Sequence, residues 1–150
     1  MSKTVLITGI SGFIGLYCAK ELLDNGFKVI GTVRNLAKKE EVINTFKKND
    51  INIKNLSFEI LELTSDNGWD KAMKGCEFVM HVASPFRIAN PKNDDEMISP
   101  AVEGTRRVLE ASQKAGIKRI VLTSSIVSMM SSIRRGQFGP KDWTDLNYPN

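Results

Sequence analysis

Residues 4–33 read TVLITGISGFIGLYCAKELLDNGFKVIGTV. The β-branched, apolar run Val5-Leu6-Ile7 predicts a buried strand over 5–7. It ends in Thr8-Gly9-Ile10-Ser11-Gly12-Phe13-Ile14-Gly15, a Gly-x-x-Gly-x-x-Gly loop. The spacing then turns helical over 12–24, with Ile14, Cys18 and Leu22 on one stripe and Ala19 and Leu23 beside it. Asn25-Gly26 is a stop signal, and 27–33 predicts a second strand. Strand, glycine loop, helix and strand within about thirty residues is the setting a dinucleotide-binding unit requires. Each glycine has a physical task there. Gly9 permits the tight turn out of the strand, Gly12 lets a pyrophosphate approach the backbone, and Gly15 lets the helix pack close to the sheet. The helix N-terminus offers unpaired N–H groups and a partial positive charge to the anion. Gly9, Ser11, Gly12, Phe13, Ile14 and Gly15 are therefore candidate cofactor-binding residues.

The alternation continues outward from this unit. Asn35 is placed to cap a helix over 37–48 with Val42, Ile43 and Phe46 apolar. A third strand is expected over 56–63, then a short helix capped by Ser65 or Asp66 and carrying Trp69, Ala72 and Met73. A fourth strand is expected over 78–82. A longer helix over 94–115 shows a stripe of Ala101, Thr105, Val108, Ser112 and Ala115, widened by Val102 and Leu109. A fifth strand follows over 117–122, and the pattern loosens into loop after Ser125. Strands that are nearly continuous in apolar residues and alternate with helices indicate an α/β fold. In it a doubly wound parallel sheet is covered on both faces, the Rossmann arrangement.

The end of the second strand bears on cofactor choice. An NAD site calls for a carboxylate there, to bind the ribose 2′-hydroxyl. The sequence instead reads Gly31-Thr32-Val33-Arg34-Asn35. Arg34 offers a planar cation suited to a phosphate, and Lys38 can reach the same side, so NADP is the expected cofactor.

Composition narrows the field further. The 150 residues carry 21 Lys+Arg against 17 Asp+Glu, a net +4 scattered in short doublets with no basic run interleaved with aromatics, so nucleic-acid binding is not expected. Cys18 and Cys76 are far apart and His81 is the single histidine, which leaves no zinc-type cluster. No apolar run approaches the ~18–20 residues of a spanning helix, and the N-terminus lacks the pattern of a signal peptide. A single domain in the cytoplasm, with no membrane partner, is the expectation.

With these residues in view, the sequence resembles the extended short-chain dehydrogenase/reductase family. Closest is the dihydroflavonol reductase, cinnamoyl-CoA reductase and fungal aldehyde/ketone reductase group. The glycine loop, Thr32-Val33-Arg34, His81-Val82-Ala83-Ser84-Pro85-Phe86 and Val121-Leu122-Thr123-Ser124-Ser125 carry the likeness. The resemblance implies that Arg34 and Lys38 hold the 2′-phosphate, that Glu62-Leu63 stands where the family has Asp-Leu beside the adenine, and that Val82, Ala83 and Ser84 line the cofactor. It also implies that Ser125 is the catalytic serine that hydrogen-bonds the substrate carbonyl, with Ser124 adjacent to it. His81 matches a family position without a proton-transfer role.

The chain departs from the family at its proton donor. The family's acid is a tyrosine in Tyr-x-x-x-Lys on the helix after the fifth strand, where the lysine lowers its pKa. Tyr17 has Glu21 at that spacing, and Tyr148 has no residue there. The resemblance thus implies an NADP-binding Rossmann domain over 1–150, cut before the Tyr-x-x-x-Lys helix and the C-terminal substrate lobe. The complete protein would be an NADPH-dependent oxidoreductase acting on an aldehyde, ketone or flavanonol-type carbonyl, a small-molecule substrate, with a homodimer as its assembly. The chain alone would be inactive. The competing readings are a non-catalytic dinucleotide-binding regulatory module and a nucleotide-sugar epimerase/dehydratase of the same family.

Overall fold

A computed structural model describes residues 2–85, 93–130, 136–145 and 147. In chain order the elements are β1 (Thr4–Thr8), α1 (Phe13–Asp24), β2 (Lys28–Val33), α2 (Leu36–Lys48), β3 (Leu56–Ile60), α3 (Trp69–Met73), β4 (Phe78–His81), α4 (Asp95–Lys114), β5 (Arg119–Leu122) and α5 (Val127–Met130). The strands form one parallel sheet in the order β3-β2-β1-β4-β5. The strand order reverses between β1 and β4, so the C-terminal ends of those two strands border the crevice where doubly wound sheets bind ligands.

The continuous apolar run of β1 follows from its two covered faces. Side chains alternate across a strand. Val5 and Ile7 join Ile10, Ala19, Val29, Val33, Val42 and Phe46 in one core under α1 and α2. Leu6 points the other way, into a second core with Leu61, Trp69, Met73, Val79, Val108 and Ala111 under α3 and α4. Thr8 and His81 continue the register of Leu6 and Val79, so both face α4.

Several expectations are corrected. β3 stops at Ile60 rather than residue 63, because its partner β2 ends at Val33, which pairs with Ile60, and the Leu61 amide makes the last bond to the Val33 carbonyl. α3 begins at Trp69, after Gly68 with φ +87°, and is not capped by Ser65 or Asp66. Ser65 Oγ instead accepts from the Asn67 amide, and the Ser65 carbonyl takes the Trp69 indole N–H. On α1 the buried residues are Gly15 and Ala19, while Ile14 is exposed. On α4 the buried face is Gly104, Val108, Ala111 and Ser112; Val102, Leu109 and Ala115 are exposed. Residues 127–130 are a short helix rather than loop. Cover on both faces holds for the central strands, whereas β5, with no outer neighbour among the described residues, leaves Val121 and Leu122 half exposed.

Candidate dinucleotide-binding site

The glycine loop is built by close approaches. Gly9 has φ +69°, and a Cβ there would lie 2.9 Å from Ala83 Cα. The Gly12 amide closes the turn onto the Gly9 carbonyl at 3.0 Å. A Cβ on Gly15 would sit 2.3 Å from the Gly9 oxygen, so α1 packs against its own loop there. Ile10, fully buried, fills the space over Gly31, where a Cβ would fall 2.5 Å from Ile10 Cδ1. Sequence reasoning passed over this contact, although an isolated glycine inside a strand is the signal for such an approach.

Gly12 is the N-cap of α1, with no side-chain cap and no acid in the first turn. The first intrahelical bond is Leu16 N–H to Gly12 O, so the amides of Phe13, Ile14 and Gly15 have no acceptor in the helix. A Cβ on Gly12 would meet only the Gly9 oxygen, at 3.4 Å, and otherwise face open space. The loop therefore fits an anion at a helix N-terminus. Gly12 has φ −82° and ψ 161°, which valine adopts readily. Gly12→Val should cost only about 1 kcal/mol of stability, as valine is a poorer N-cap than glycine, and should lose NADPH binding, measured by thermal unfolding and nucleotide fluorescence. Unchanged NADPH binding would count against the loop assignment.

Around the loop, the acid-free end of β2 presents Arg34, exposed and without a side-chain partner among the described residues. Asn35 Oδ1 accepts from the Lys38 amide at 2.9 Å, as the capping pattern predicts. Lys38 Nζ pairs with Glu41 at 2.6 Å, so its cation is shared with a carboxylate. Glu62 is exposed, and Leu63 is half-buried against Gly104, where a Cβ would stand 3.3 Å from Leu63 Cβ. Arg107 holds this turn, pairing with Asp66 and donating through Nη1 to the Leu63 carbonyl at 3.4 Å. Sequence reasoning missed Arg107; the signal was a cation one turn from Gly104.

At the end of β4 the amides of Val82 and Ala83 donate to Thr8 Oγ1 at 3.1 and 3.0 Å. Thr8 Oγ1 lies 2.7 Å from His81 Nδ1, and His81 Nε2 lies 3.4 Å from Thr105 Oγ1. His81 is 2% exposed, and burial holds its pKa below the usual imidazole value. Neither Thr8 nor Thr105 was expected to contribute. Ser84 is exposed.

Ser124 and Ser125 follow β5, both exposed. Ser125 Oγ accepts from the Val127 amide at 3.3 Å, while Ser124 Oγ lies 3.2 Å from Ser128 Oγ. The glycine loop, Arg34, Glu62, Val82 to Ser84 and Ser125 thus all follow C-terminal ends of strands. Pro85 is half-buried, and Phe86 lies outside the described residues.

Other features do not compete with this site. An open groove of ≈ 670 Å³ runs along α4 past Val102, Thr105 and Leu109, and no glycine-loop residue lines it. Among the described residues no group of three His, Cys, Asp or Glu side chains could hold a metal, and no helix is long and apolar enough to cross a membrane. Cys76 is buried, which pushes its thiol up to about 11 and leaves it unreactive.

The model of the NAD dependent epimerase/dehydratase family matches residues 5–144. Dihydroflavonol 4-reductase of Hordeum vulgare is 34% identical, over 96% of this chain and 41% of its own length. Among solved structures, Gre2 of Candida albicans in complex with NADPH superposes with a TM-score of 0.82 at 31% identity, covering 97% of this chain and 45% of that one. Yeast methylglyoxal/isovaleraldehyde reductase Gre2, also with NADPH, gives 0.80 at 26% identity over the same shares. The chain spans less than half the length of these relatives. The Hordeum vulgare and yeast proteins are named as reductases, the group that the Val33-Arg34 and His81 to Phe86 segments resemble. With a glycine loop, a parallel sheet in this strand order and a family match over nearly its whole length, the chain belongs to the NAD dependent epimerase/dehydratase family.

Proposed function

We propose that the chain is the NADP-binding part of an NADPH-dependent oxidoreductase that reduces an aldehyde, ketone or flavanonol-type carbonyl. The observation that carries this reading is Arg34, free of side-chain partners among the described residues, at an acid-free strand end beside an uncapped glycine-loop helix. The amides of Phe13, Ile14 and Gly15 take the pyrophosphate. Arg34 forms charge-assisted bonds to the 2′-phosphate, with Lys38 as a weaker second cation. Glu62 and Leu63 flank the adenine. Val82, Ala83 and Ser84 bound the cofactor where β4 ends. NADPH supplies the hydride, and Ser125 hydrogen-bonds the carbonyl oxygen that receives a proton.

In this reading residues 1–150 are the Rossmann domain. The Tyr-x-x-x-Lys helix and the substrate lobe belong to the part of the relatives' length that the chain does not span. The chain alone then binds cofactor without turning over. The setting is cytoplasmic, the substrate a small molecule, and the full-length assembly a homodimer.

The test is the pair of dissociation constants for NADPH and NADH. Charged hydrogen bonds of about 1.5–3 kcal/mol predict NADPH at least about tenfold tighter. Equal or tighter NADH binding would overturn the proposal.

A further inference from the structure

The hydrogen bonds around Thr8 leave one arrangement of protons. A hydroxyl has one donor and two acceptor sites. Both acceptor sites of Thr8 Oγ1 are taken by the amides of Val82 and Ala83. Its proton must therefore go to His81 Nδ1, 2.7 Å away, which makes Nδ1 the acceptor and puts the ring proton on Nε2, facing Thr105 Oγ1. The groups meeting the ring, Thr8 on β1 and Thr105 on α4, are neutral, and its neighbour in register on β5 is Leu122. A protonated ring would present a second donor to a hydroxyl with no acceptor capacity left.

This locked pair sits where the strand order reverses. Residues 8 and 81 face each other in the β1–β4 register. The segment that Thr8 holds is the one that touches the glycine loop, since Ala83 lies directly against Gly9. A rotation of the 82–83 peptides would push Ala83 into that glycine and shift the loop whose amides meet the phosphates.

We propose that Thr8 and His81 are positioning residues: neutral His81 in the Nε2–H tautomer fixes the Thr8 hydroxyl, which fixes Val82 and Ala83 against the glycine loop in its nucleotide-binding shape. The proposal rests on the cofactor reading above and adds two residues to it, neither of which touches the nucleotide.

Because His81 is the only histidine, ring ¹⁵N NMR reads its tautomer without assignment. The spectrum should show a protonated Nε2 and an unprotonated Nδ1. An Nδ1–H ring would overturn the arrangement. NADPH affinity, measured well below the melting temperature of each variant, tests the consequence. Thr8→Val keeps the shape but leaves both amides and Nδ1 unpaired, and should weaken NADPH at least about tenfold. Thr8→Ser restores the hydroxyl and should recover most of the affinity. His81→Leu should lose it, and His81→Asn, which returns an acceptor near the Nδ1 position, should recover it. A purely structural role would lower melting temperatures across the set while leaving the affinity of folded protein unchanged, and that result overturns the proposal. If Thr8→Val does not fold, the histidine pair and the ring spectrum decide. Wild-type protein that shows the Nε2–H ring but fails to bind NADPH would instead overturn the cofactor reading.

Discussion

Gly15→Ala is expected to lose about 3 kcal/mol of folding stability, the upper end of what overpacking costs, and NADPH binding with it. The new methyl would stand 2.3 Å from the Gly9 oxygen, 2.9 Å from Ile10 Cα and 3.0 Å from the Gly9 carbonyl carbon. All three are backbone atoms, so no flexible side chain can swing aside. Relief requires α1 to slide away from the loop, which draws Gly9 off Ala83 and uncovers Ile10. For a chain of this length, about 3 kcal/mol lowers the melting temperature by roughly 6–12 °C. Gly26→Ala is the control. Unlike the helical Gly15 it has a positive φ, +77°, and a Cβ there has nothing within 4 Å, so its cost is backbone strain without a clash. It should cost about 1–2 kcal/mol, and nucleotide affinity should stay intact. Thermal unfolding followed by circular dichroism, paired with NADPH titration, reads both effects. A Gly15→Ala protein melting within about 2 °C of wild type would show that the helix does not need this contact. Together with Gly12→Val the pair would separate loss of packing, expected at Gly15, from loss of ligand access, expected at Gly12.

What the sequence made legible was what short-range rules encode. The run Val5-Leu6-Ile7 is apolar throughout because its residues alternate between two cores, and that pattern alone indicates a covered parallel strand. Asn35 caps α2 as its side chain and position predict. The misreadings lie where small residues carry the packing. On α4 the expected stripe of Ala101, Thr105, Val108, Ser112 and Ala115, widened by Val102 and Leu109, holds at Val108 and Ser112, but the helix turns Gly104 and Ala111 inward and leaves Val102, Leu109 and Ala115 exposed. A slim face is what allows it to approach Leu63 and lets Ser112 reach the Met73 sulfur at 3.5 Å. Ser65 and Asp66 looked like caps by type. The Trp69 indole takes the Ser65 carbonyl instead, and Asp66 is drawn to Arg107 across 41 residues of sequence. The Thr8–His81 bond spans 73 residues, and no local propensity announces it. Around the candidate site, sequence named groups that follow strand ends and missed Thr8, Thr105 and Arg107, whose hydrogen bonds tie the adjoining segments together.

Reversing the charge at residue 34 is expected to give the largest change in ligand choice. Arg34 is exposed and makes no side-chain hydrogen bond or ion pair among the described residues, so Arg34→Asp costs the fold little and reports chiefly on binding. Two effects act in the same direction. The substitution deletes charge-assisted bonds to the 2′-phosphate, worth about 1.5–3 kcal/mol, and places a carboxylate where that dianion must sit. For NADH the same carboxylate supplies the acceptor that a ribose 2′-hydroxyl wants. NADPH should weaken by about a hundredfold, or 2.7 kcal/mol, while NADH holds steady or tightens, so that the preference inverts. Lys38→Ala should do much less. Its ammonium is already paired with Glu41 on the helix surface, and the loss of an exposed i,i+3 pair alters stability by only about 0.3–0.5 kcal/mol. The wild-type preference for NADPH should also shrink as salt rises and screens the exposed guanidinium, whereas Arg34→Asp should show the opposite slope for NADPH. Fluorescence titrations of both nucleotides at two ionic strengths supply all four comparisons. If Arg34→Asp bound NADPH as tightly as wild type at an unchanged melting temperature, the 2′-phosphate would have to be held elsewhere, and the acid-free end of β2 would lose its meaning.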